Sequence, residues 1–247
     1  MVLSGPDPGV RAAEFPDRLA LVQLLREGEF ERLDTVIRKY QRAYEEGAIS
    51  EGHLEATYFA FSNSSADLEQ QLDRWVRDFP GYPALMARGA YLWNLGLLIR
   101  GPRNSHPLTA DHQREVRDHF SRASYDLVNA IQDHRELGIA YSLLIHMASE
   151  FGDLEDVIEL TRRGALADPR SVVVHRRYLE SQRPWVVKGN VNEQFLLARI
   201  ERYLSNLKPR YAEYPGLGVL AGYSLLVEAD RLVRQGERAA AITFYDG

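Results

Sequence analysis

Three side chains have the types and spacing for metal binding or acid–base work. His112, Glu115 and His119 fall at i, i+3 and i+7 of a polar stretch, flanked by Asp111 and Asp118. On a helix they share one face, and imidazole with carboxylate can ligate zinc or move protons. The spacing weighs against a shared ion. At about 1.5 Å rise per residue the two imidazoles stand ~10 Å apart along the axis, beyond one tetrahedral site. The same pattern also arises on ordinary polar helix faces. A hydrolase or metal-dependent enzyme on this face, with Arg100 nearby, is therefore the alternative reading. Gly216, Gly218 and Gly222 do not follow the order of a phosphate loop, and no strand precedes them. No GxSxG, HExxH, Walker or EF-hand pattern occurs. The absence of cysteine removes disulfides, thiolate zinc sites and cysteine nucleophiles together. The leading expectation is a non-enzyme with no catalytic residue, no metal and no cofactor.

Charge is unevenly spread. The chain of 247 residues carries a net charge of −5, which disfavours non-specific nucleic-acid binding. Yet Arg162, Arg163, Arg170, Arg176, Arg177, Arg183 and Lys188 cluster against only Asp168 and Glu180, while Glu45, Glu46, Glu51 and Glu55 crowd the acidic first ninety residues. Such a basic segment either steers an acidic partner or balances charge between neighbouring helices. Trp185, between Pro184 and Val186, is an aromatic candidate for partner contact.

Helices must position all of these groups. No stretch alternates with period two over a useful length, and Val172-Val173-Val174 is the sole strand-like run. Residues 1–13, rich in Gly and Pro, read as a flexible arm. A helix is expected from about Pro16 to Gly28, and a second carries Phe30, Leu33, Ile37 and Tyr40. Ser50 is the expected N-cap of a third, with Leu54, Tyr58 and Phe61 as its stripe. Leu68, Leu72, Trp75 and Val76 mark a fourth. Leu85, Gly89, Leu92 and Trp93 mark the next, and Thr109 caps a long helix with Phe120, Ala123, Leu127 and Ala130 toward the core. Irregular connectors fall near 100–109 and 184–191. No apolar run reaches the ~20 residues of a membrane span, so the default location is the cytoplasm.

The best-defined unit runs from Gly138 to Ser171, about 34 residues, the length of a tetratricopeptide repeat, or TPR. Tyr141, Leu144, Ile145 and Ala148 form one helical stripe; Leu154, Val157, Ile158 and Leu160 are read as another after the Gly152-Asp153 turn. The unit resembles a TPR in its early aromatic Tyr141, in Leu144, in Gly152-Asp153 and in the closing Asp168-Pro169. It departs at Ile145, Val157 and Gly164, where small residues or Ala are usual. Ala123 and Ala130 of the preceding helix match two small TPR positions, in phase with Gly138. Gly236-Glu237 reads as the turn of a last, incomplete repeat with Ala241 as its small position. More broadly, Leu72-Asp73-Xaa-Trp75, Pro80, Gly89, Arg100-Gly101 and Asp126-Leu127 are similar to an uncharacterised bacterial family of TPR-like proteins. That family tends to continue Pro-Arg-Trp-Gly-Gly where this chain has Pro184-Trp185-Val186-Val187.

The resemblance implies an all-α fold, an α-α superhelix of TPR-like helix-turn-helix hairpins in a single domain over 14–247. It implies a concave groove lined by first helices: Ile139, Ser142, His146, Ser149 and Glu150 in the central unit, and Tyr223, Leu226, Asp230 and Arg234 in the last. The expected function is a non-enzymatic protein-binding scaffold, with the Arg162–Lys188 segment as a second contact. An immunity or adaptor protein that occludes a partner, such as a secreted toxin, is the narrower version. An RNA-binding repeat would need a continuous basic and aromatic groove, which the net charge disfavours.

Overall fold

Helices are the only regular elements among the described residues, so the all-α class holds. The computed structural model describes residues 16–62, 66–101, 109–151, 153–183, 192–234 and 236–237. The arm at 1–13, Gly152, the 184–191 connector with Trp185, most of the 100–109 connector, and Ala241 lie outside them. The chain divides into two compact units, 1–135 and 136–247. No described helix is long and apolar enough to cross a membrane.

In the first unit, α1 (Arg18–Glu27) begins at Asp17, whose carboxylate accepts the Leu19 and Ala20 amides at 3.0 Å. It closes at Gly28 with φ 74°, the left-handed stop that a Cβ disfavours. The helix α2 (Phe30–Glu45) buries the expected stripe of Phe30, Leu33, Ile37 and Tyr40. Ser50 stands before α3 (Glu51–Tyr58) as expected, but its hydroxyl meets His53 Nδ1 at 2.7 Å and caps no amide. A 3₁₀ turn, Phe59–Phe61, then carries Phe61 into the core. From α4 (Ala66–Asp78), Trp75 stacks on Phe30 at 6.5 Å and meets Phe61 edge-on at 6.1 Å.

The long hairpin of α5 (Tyr82–Arg100) and α6 (Ala110–Asp133) is in register through missing side chains. Thr109 caps α6 by accepting the His112 amide at 3.2 Å. A Cβ on Gly96 would lie 2.4 Å from Phe120, and one on Gly89 would lie 2.9 Å from Leu127. At the far end the Tyr82 amide donates to the Asp133 carboxylate at 2.8 Å. Each step of seven on α5 thus meets a step of about seven back along α6. Beside this seam, Arg88 grips both oxygens of Asp126 at 2.7 Å and reaches Asp73 of α4 at 3.0 Å. Asp126 is 1% exposed, so the bidentate pair is largely removed from water.

The second unit opens with α7 (Gly138–Phe151) and α8 (Leu154–Ala167). Asp153 caps α8, accepting the Asp156 amide at 3.0 Å. The Val172 run is not a strand; it starts α9 (Val172–Ser181), capped by the Ser171 hydroxyl. Then follow α10 (Glu193–Leu207), two 3₁₀ segments (Lys208–Tyr211 and Pro215–Gly222) and α11 (Tyr223–Arg234). Gly236 takes φ 83° at the expected turn.

One expected stripe is corrected. On α8 the buried side is Val157, Thr161 and Gly164, while Leu154 and Ile158 are exposed. Two local facts turn the helix. The Thr161 hydroxyl donates to the Val157 carbonyl at 2.7 Å and so tolerates burial. Gly164 brings the helix backbone against Tyr141, where a Cβ would sit 2.9 Å from the Tyr141 Cβ.

Removing the Asp126 carboxylate strands Arg88 beside an exposed Asp73. Asp126→Ala is expected to cost about 3 kcal/mol of unfolding free energy. Asp73→Ala, at a half-exposed position, is expected to cost under about 1 kcal/mol. Urea unfolding of the two variants should show that order, and equal costs would refute it.

Candidate functional site

The structure separates the sequence-derived candidates. His112 and Glu115 are exposed and His119 is half-buried. Among the described residues no group of three or more His, Cys, Asp or Glu is placed to hold a metal ion.

The polar strip on α7 is not a solvent-facing strip. Ser142 and Ser149 are buried, and their hydroxyls donate to the carbonyls of Ile139 at 2.8 Å and His146 at 2.7 Å. A serine that bonds to its own helix needs no water, so a polar letter in the pattern did not mean a wet face. His146 Nε2 lies 3.9 Å from Glu150 Oε1, and both side chains are mostly covered.

The basic segment is largely consumed within the chain. Arg162 holds Glu159 through two nitrogens at 2.8 Å, and Arg177 holds Glu180 at 2.7 Å with Arg176 at 3.9 Å. Arg170 lies 3.6 Å from the buried Asp168. Arg183 pairs with Asp230 at 3.5 Å, donates to the Tyr223 hydroxyl at 2.8 Å and lies 5.2 Å over that ring. Tyr223 and Asp230 are therefore anchored by α9's end, and burial first of all lifts the Tyr223 phenol to about 12. Arg163 is exposed. Trp185 and the Arg234 side chain fall outside the described parts.

Two polar networks had no sequence signal, because their members are far apart in the chain. In the first unit the Tyr58 hydroxyl donates to Gln41 at 3.0 Å, and Gln41 donates to Glu45 Oε1 at 2.8 Å. His134 Nε2 donates to the same oxygen at 2.6 Å, its ring stacked on Tyr82 at 4.6 Å, with Arg38 4.6 Å over the Tyr82 ring. In the second unit, buried His175 shares a hydrogen bond of 2.6 Å with the Tyr203 hydroxyl, and its Nε2 has none. Burial, with the nearby Arg210 charge, lowers the His175 pKa to about 4. It is a neutral imidazole at pH 7, locking α9 to α10.

What remains open is the outer side of α8. Leu154 (39% exposed), Ile158 (45%) and Leu166 (68%) follow the i+4 line through Arg162, with half-exposed Phe151 beside the first of them. Unpaired Glu155 and Asp156 lie at one end of this line, Arg162 and Arg163 at the other. The carboxylates crowd one another: desolvation, then Asp153 and Glu155, raises the Asp156 pKa. The signal was present in the sequence, in an i+4 line offset from the Val157–Thr161–Gly164 side. Comparison with protein-family models, curated proteins and solved structures finds no match.

The unfolded chain protonates His175 near pH 6.5, well before the folded one. Stability should therefore fall as pH drops from about 6.5 toward 4. Between pH 7 and pH 5 the wild type is expected to lose about 2 kcal/mol that His175→Gln does not lose. Parallel urea curves of the two proteins at the two pH values measure this, and identical pH slopes would exclude it.

Proposed function

We propose that the chain is a non-enzymatic helical-hairpin scaffold that binds another protein through the outer side of α8. The observation that carries this reading is the exposed line Leu154–Ile158–Leu166 with its opposite charges at the two ends. Large apolar side chains in a contiguous exposed line cost hydration free energy that a partner removes. The charge order sets the partner's chemistry: an amphipathic helix with apolar residues at i and i+4. Its bases face Glu155 and Asp156, and its carboxylates face Arg162 and Arg163. The likeness of Gly138–Ser171 to a TPR supports a binding role but moves the contact from the first helix of the hairpin to the second. An immunity or adaptor protein that occludes a secreted toxin is one narrower form of this reading.

Affinity capture from the source cells, followed by binding assays on the recovered protein, tests it. Ile158→Glu is expected to abolish capture of the partner while leaving the circular dichroism spectrum intact. Arg162→Glu with Arg163→Glu should weaken the partner by about tenfold, about 1.4 kcal/mol. A partner that binds both variants as tightly as the wild type sinks the assignment to α8.

A further inference from the structure

A second open feature lies elsewhere in the same unit and is independent of α8. α10, the 3₁₀ segments and the start of α11 enclose a groove of about 410 Å³, within the range of small-molecule sites. Glu201, Leu204, Ser205 and Lys208 line one wall from positions i, i+3, i+4 and i+7 of the chain, and Tyr211 and Ser224 complete the polar lining. Elsewhere in this unit the guanidinium groups hold carboxylates: Arg162 with Glu159, Arg177 with Glu180, Arg183 with Asp230, Arg231 with Glu228. The groove is different. Glu201, Ser205, Lys208, Tyr211 and Ser224 make no hydrogen bond or ion pair among the described residues. Glu201 and Lys208 do not reach each other, because seven residues of helix set them ~10 Å apart along the axis. Leu204 supplies an apolar floor between them.

We infer that this groove binds a small zwitterion with its charges about 10 Å apart, a free tripeptide. An extended peptide spans about 3.4 Å per residue, so three residues match the separation of the two side chains. The peptide's ammonium end meets the Glu201 carboxylate and its carboxylate end meets the Lys208 ammonium. The Ser205, Ser224 and Tyr211 hydroxyls face the amide groups between. Burial raises the Tyr211 pKa, which keeps its phenol a neutral donor. A simple anion is disfavoured by Glu201 and a simple cation by Lys208, so neither charge alone explains the lining.

Titration of the full chain with trialanine, followed by amide chemical-shift changes, tests the assignment. Saturable binding is expected, with the largest shifts in α10 and the first turn of α11. N-acetyl-trialanine and trialanine amide should each bind about fivefold more weakly than trialanine. The acetylation effect should vanish in Glu201→Gln, and the amidation effect in Lys208→Gln, since each variant has already lost the matching pair. No saturation by about 10 mM, shifts confined to other helices, or blocked peptides binding as well as the free one would overturn it. Dependence on one end only would overturn the zwitterion. None of these results bears on α8, whose side chains the groove does not share.

Discussion

Helix axes in this protein come closest where a side chain is missing, and the fold of each unit rests on that constraint. Gly96 and Gly89 let α5 press on Phe120 and Leu127 of α6; Gly164 does the same for α8 against Tyr141. Gly138 admits the Asp168 carboxylate and the Ser171 hydroxyl, each within 2.7 Å of where a Cβ would stand. A methyl group at such a point must displace a fully packed neighbour, and overpacking of this kind typically costs about 1–3 kcal/mol. The tightness also sets register. Two glycines seven residues apart fit two large side chains seven apart only in one antiparallel alignment. The Arg88–Asp126 pair beside that seam then has both its charges satisfied.

Polar groups follow the same economy. Serine and threonine hydroxyls on α7 and α8 bond to their own helices. Most of the basic segment finds carboxylates inside the unit. His175 is covered so completely that it stays neutral at pH 7 and serves as a hydrogen-bonding link between helices. A surface on which charges are so largely paired internally makes its exceptions informative. One is the apolar line of α8, bounded by opposite charges. The other is the groove on α10, whose polar side chains have no internal partners.

Much of the fold was legible in the sequence. Phe30, Leu33, Ile37 and Tyr40, or Phe120, Ala123, Leu127 and Ala130, repeat at helical spacing, and both sets are buried. Thr109, Gly28 and Gly236 stand at their expected cap and turn positions. The sites were far less legible. Spacing grouped His112, Glu115 and His119, which the structure leaves without a metal-binding cluster among the described residues. It could not join Tyr58 to His134, or His175 to Tyr203, since contacts across that much chain depend on which helices become neighbours.

By itself, then, the sequence determined that the chain is helical and roughly where each helix starts, because propensity, capping and a 3.6-residue period act locally. Only the tertiary structure decided which side of α8 is inside. A hydropathy pattern favours Leu154 and Ile158 over Thr161 and Gly164. Packing favours the reverse, since a glycine admits a neighbouring ring and a threonine hydroxyl can satisfy itself on the turn before.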